Sequence, residues 1–76
     1  MLDITQTGHV NSWSNLRGFG FIVNDRDDSI IFVHYSGILG KGIKNLYPGE
    51  DVKFLIAEDE RGRYAYNVQR MRNWRE

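Results

Sequence analysis

Two short runs set the pattern of the chain. Phe19 and Phe21 alternate with Gly18, Gly20 and Ile22, and Phe32 and His34 alternate with Ile31 and Val33. In a strand, residues two apart share a face. Each run therefore has one face that suits a core and one that carries flat rings. Branched aliphatics interdigitate in an interior, whereas rings placed side by side on an outward face suit stacking against bases. The glycines opposite the rings permit tight coiling or the close approach of another backbone.

The same alternation predicts three further strands. Residues 2–14 form the first. From Val10 onward, Val10, Ser12 and Ser14 share one face, and His9, Asn11 and Trp13 the other, which brings Trp13 to the ring-bearing side. Residues 51–57 set Val52, Phe54 and Ile56 against Asp51, Lys53 and Leu55, the pattern of a half-buried strand. Residues 63–71 form the fifth strand, with Tyr64, Tyr66 and Val68 on a common face. Turns fall at Asn15-Leu16, at the Asp-rich and Asn-rich residues 24–29, at Tyr47-Pro48-Gly49-Glu50 and at 58–62. A long irregular connection over 36–49 holds Ile38 and Leu46 as its anchors to the core, and Lys41 and Lys44 flank Ile43 within it. No stretch has the period of an amphipathic helix, so nothing is at hand to cover the ring face. The prediction is an all-β chain: a five-stranded antiparallel Greek-key barrel of the OB-fold type, whose closure removes exposed strand edges.

Composition changes the picture in three ways. At 76 residues the chain suits a single domain, 1–76, near the lower size limit for one core. Without cysteine and with His9 and His34 as the only histidines, neither a disulfide nor a structural zinc is expected, and stability must come from packing and a closed hydrogen-bond network. There is no apolar run of transmembrane length and no signal-peptide pattern, so a cytoplasmic protein with no membrane partner is expected.

Charge bears on the partner. Ten basic and ten acidic residues sum to zero, which argues against binding that rests mainly on phosphate neutralisation. Stacking is indifferent to net charge. Arg61, Arg63, Arg70, Arg72 and Arg75 gather late, while acidic residues concentrate at 25–28 and 50–60. The run at 25–28 lacks the Gly and distal Glu of a calcium-binding loop and reads as a solvated turn.

The segments Arg17-Gly18-Phe19-Gly20-Phe21-Ile22 and Ile31-Phe32-Val33-His34-Tyr35 together resemble the two nucleic-acid-binding motifs of the bacterial cold-shock protein family. That family has a Lys before Gly-Phe-Gly-Phe-Ile, then Val-Phe-Val-His-Phe after a short loop. The first motif also overlaps the ribonucleoprotein signature of RRM domains, but an RRM needs two helices for which the chain has no room. The resemblance spans residues 8–68 and leaves 70–76 as a tail of Arg and Trp, either a disordered end or a basic aromatic extension touching nucleic acid. There are departures. Where the family has Lys-Trp-Phe-Asn, this chain has Asn11-Ser12-Trp13-Ser14 if Gly8 and Gly18 are both matched; a one-residue deletion in the turn would instead match Trp to Trp. The family's loop Phe is Ile43 here, and the Pro after the last turn's Gly is Arg63.

The resemblance implies a sequence-tolerant binder of single-stranded RNA or DNA, an RNA chaperone or regulator of transcription and translation, without catalytic activity or cofactor, and a monomer. Phe19, Phe21, Phe32 and His34 would stack successive bases, with Trp13 and Tyr35 extending the platform. Arg17, Lys41, Lys44 and Arg61 would hold phosphates. Two rival readings are a small-barrel interaction module that binds a peptide through its aromatic face, and a small nuclease using His34 with Asp25, Asp27, Asp28 and a metal. No Asp, Ser or Cys is motif-paired with His34, which weighs against the second.

Overall fold

The structure is a computed structural model and describes residues 4–40 and 45–71. Five strands follow one another: β1 (Gln6–Ser14), β2 (Phe19–Asn24), β3 (Ile30–His34), β4 (Asp51–Asp59) and β5 (Gly62–Arg70). A 3-10 turn, Tyr35–Gly37, follows β3. Around the molecule the strands run β1-β2-β3-β5-β4 and close into a barrel. The seam between β3 and β5 is parallel, through Phe32 opposite Tyr64 and Val33 opposite Ala65. The other four seams are antiparallel, as the sequence predicts for a Greek-key barrel of the OB-fold type. Five strands in a closed ring cannot alternate direction throughout, so one seam must run parallel.

Inside lie Val10, Ile22, Ile31, Val33, Ile38, Leu46, Val52, Phe54, Ala65 and Val68, with Trp13 and Ile56 packed against them. Every strand contributes, and Ile38 and Leu46 pin the long connection to the core as the sequence suggests. No ring of the two motifs is among the buried set.

Two strands change phase midway, and both changes correct the simple alternation. In β1, Val10 faces Ile22 but Ser12 faces Phe21, so Asn11 is an extra, unpaired residue. Beyond it the faces swap. Ser12 and Ser14 stand on the outer side opposite Phe21 and Phe19, and Trp13 turns inward opposite Gly20. The chains meet closely there: a Cβ on Gly20 would lie 2.1 Å from the Ser12 carbonyl oxygen, so no other residue fits. In β5, Phe54 of β4 faces two residues, because Lys53 pairs with Gln69 and Leu55 with Tyr66. Asn67 takes up the extra length with φ of 50°, a left-handed conformation that Asn tolerates. Val68 consequently points into the core, while Tyr64 and Tyr66 stay outside.

One end of the barrel is closed by charge. Glu50 is fully buried after the Tyr47-Pro48-Gly49 turn, and its carboxylate accepts from the Tyr47 N–H at 3.0 Å and from the Arg70 guanidinium. Arg70 also donates to the Asn45 carbonyl. A buried carboxylate is tolerated only when paired and hydrogen-bonded in this way. The pair ties the end of β5 to the connection that precedes β4.

Candidate nucleic-acid interface

The outer face of β2 and β3 is built by cross-strand register. Phe19 stands opposite His34, Phe21 opposite Phe32, and Val23 opposite Ile30. Opposed residues share a face, and Gly20, Ile22, Ile31 and Val33 between them are buried. The three Phe rings form a cluster: Phe19 to Phe32 is 5.6 Å between centroids, Phe21 to Phe32 5.9 Å and Phe19 to Phe21 6.4 Å. The contacts are edge-on or tilted, which leaves ring area turned toward solvent. All three are half-buried.

His34 continues the surface. Its Nδ1 accepts the Ser36 N–H at 3.2 Å and lies 2.8 Å from the Ser36 hydroxyl, so the ring caps the 3-10 turn and is held in place. With Nδ1 accepting, the neutral ring carries its proton on Nε2 as a donor. Tyr35 stacks on it, with centroids 4.5 Å apart at 32°, and its N–H donates to the Gly18 carbonyl at 2.9 Å. The β3 end, the turn and the start of β2 are thereby joined.

Hollows flank the rings on two sides, each with arginine. One, of about 570 Å³, is lined by Phe32, His34, Ser36 and Tyr64 with Asp59, Arg61, Gly62 and Arg63 of the β4–β5 hairpin. The other, of about 560 Å³, is lined by Asn15, Leu16, Arg17, Gly18, Tyr35, Ser36 and Asn45. Arg17 and Arg61 are exposed, and Leu16 is 94% exposed at the lip of the second hollow.

The expected site residues thus fall into three groups. Phe19, Phe21, Phe32, His34 and Tyr35 share one surface, and Arg17 and Arg61 stand at its margins. Trp13 departs from expectation: the extra residue in β1 turns it toward the core, with its Nε1 buried and without a hydrogen-bond partner among the described residues. Ser12 takes the outer position beside Phe21 instead. Lys41, Ile43 and Lys44, and the tail from 72 onward, lie outside the described residues. Tyr64 and Tyr66 were not singled out from sequence for this face. The signal is present in their two-residue spacing, but simple alternation groups Val68 with them.

The acidic turn at 25–28 sits at the opposite end of β3 from His34, about 13 Å away at ~3.3 Å per residue. Asp25 accepts from the Thr7 hydroxyl, and Asp27 from Ser29. Hydrogen bonds from the Ser29 hydroxyl and then its N–H hold the Asp27 carboxyl below the usual carboxylate value. Among the described residues no three His, Asp or Glu side chains converge as metal ligands, and no helix is long and apolar enough to cross a membrane.

Comparison with known proteins agrees with this geometry. Cold shock protein CspD of Bacillus subtilis is 42% identical over 66 residues, covering 87% of this chain and 98% of that protein. Cold shock protein CspV of Vibrio cholerae is 36% identical over 62 residues, covering 82% of this chain and 89% of its own. Among solved structures, Drosophila Unr CSD456 superposes with a TM-score of 0.77 at 19% identity, which speaks to fold. It covers 97% of this chain, which spans only 30% of that longer one. Residues 6–71 match the ‘Cold-shock’ DNA-binding domain family, and the chain belongs to it.

Proposed function

We propose that the protein binds single-stranded RNA or DNA by stacking successive bases on Phe19, Phe21, Phe32 and His34, with Tyr35 extending the row. The observation that supports this most directly is the cluster of three Phe rings, centroids 5.6–6.4 Å apart, on a face the core does not use. Every base has a π-face, so such a row accepts strands of many sequences. Duplex DNA hides those faces in its own stack. Arg17 and Arg61, with Lys41 and Lys44 of the long connection, hold phosphates. Trp13 supports the platform from beneath and does not stack.

A protein that holds strands unpaired opposes secondary structure, the action of an RNA chaperone or of a regulator of transcription and translation. It acts in the cytoplasm as a monomer and needs neither cofactor nor metal. No chemistry is assigned to it: the length of β3 separates His34 from the acidic turn, and the His34 Nδ1 is engaged by Ser36. The test is a titration with a pyrimidine strand, the same strand in duplex form and a peptide library. Tight binding of the single strand alone is expected. Preference for the duplex or for peptides would reject the reading.

A further inference from the structure

The ring surface does not stop at β3. Phe32 lies opposite Tyr64 across the parallel seam, so the outward row passes onto β5, where Tyr66 follows with its ring 6.4 Å from that of Tyr64. Both tyrosines are half-buried and neither belongs to the core. Gly37 brings the 3-10 turn against the same strand: a Cβ there would come within 3.1 Å of the Ala65 carbonyl oxygen and 3.5 Å of the Tyr66 Cα. The turn that carries Tyr35 and is capped by His34 is thus packed beside Tyr66, and Tyr64 lines one hollow with Phe32 and His34.

We infer that Tyr64 and Tyr66 form a second arm of the strand-binding surface, which takes one or two further bases of a single-stranded nucleic acid beside the Phe32–His34 edge of the platform. This rests on the reading of the platform as a base-stacking site. The shared hollow argues for the same occupant, since a strand leaving Phe32 meets Tyr64 next. Charge says how the arm works. Arg61 and Arg63 flank Tyr64, but Asp59 shares the hollow and Glu58 stands opposite Arg63 in the hairpin register. Arg61 serves the phosphates of the platform strand, and the acidic groups offset Arg63, so the arm itself binds through ring faces. Its contribution is therefore insensitive to salt, unlike that of phosphate contacts.

The experiment compares a four-nucleotide with an eight-nucleotide pyrimidine strand, a range that begins at the smallest site sizes of OB folds. Tyr66→Leu keeps apolar cover over Leu55, its cross-strand partner, and removes the π-face. It should lower affinity for the longer strand by about five- to tenfold, at low and high salt alike, and leave the shorter strand unaffected. Tyr66→Phe should bind both as the wild type does. Unchanged affinity of Tyr66→Leu for the longer strand overturns the arm, as does an equal loss on both strands. Phe21→Ala runs alongside. If it binds both strands as tightly as the wild type, the platform reading itself has failed, a result separable from failure of the arm alone.

Discussion

Phe21 and Ile31 sit on neighbouring strands of one sheet and serve opposite purposes. The Phe21 ring faces solvent among other rings, whereas Ile31 is fully buried. Large-to-small changes in a packed interior cost about 2–5 kcal/mol for Ile, because the surroundings only partly fill the void; an outward ring leaves no such void. Ser12 extends this contrast to a position where the chain lacks a ring. It stands opposite Phe21 on the outer side, at the place the resemblance assigns to a Trp when Gly8 and Gly18 are both matched. Ser12→Trp should therefore tighten single-strand binding, by no more than the ~1–3 kcal/mol of one base-aromatic stack. Titration of the variant beside the wild type checks this. Weakened binding would mean that Ser12 lies under the strand's path as a small residue, not beside it.

At the scale of elements, what could be read from sequence depended on whether a strand kept its phase. β2 and β3 contain no irregularity, so alternation alone placed Phe19, Phe21, Phe32 and His34 together. β1 and β5 each hold one extra residue, Asn11 and Asn67, and every position beyond it changes side. Trp13 and Val68 were misplaced for that single reason. A bulge leaves little mark in local composition, since it is fixed by the partner strand. The burial of Glu50 was equally invisible, because its partner Arg70 lies 20 residues away. The β2–β3 turn, by contrast, announces itself: Asp27 accepts from the Ser29 hydroxyl at 2.7 Å and its N–H at 3.0 Å. These bonds depress the carboxyl, so they stabilise the fold above the ordinary value of 3.8 and their contribution is lost as pH falls through the lowered folded value. Asp27→Asn should accordingly flatten the acid limb of melting temperature against pH and leave neutral-pH binding unchanged. An acid limb identical to the wild type's would show that the turn does not carry this dependence.

The whole molecule combines an uncharged balance with a polarised surface. Formal charge is zero, yet Arg17 and Arg61 stand at the margins of the ring face while the acidic turn at 25–28 lies at the far end of β3. Binding should then depend on salt only shallowly. Two to four neutralised phosphates at about −0.7 each give a slope of log affinity against log salt of roughly −1.5 to −3. A slope steeper than about −5 would transfer control of affinity from the rings to the late arginines. The barrel itself was foreseeable from five short strands, glycine-marked turns and no helix. Its one parallel seam follows from closing an odd number of strands, and that seam is what brings Tyr64 beside Phe32.

In this fold the outward rings serve binding and not support. Phe21→Ala measures this most directly, with single-strand affinity and thermal unfolding taken on the same preparation. Affinity weaker by ~1–3 kcal/mol and a melting temperature close to the wild type's are expected. A melting temperature that collapses while the folded fraction binds normally would contradict that role.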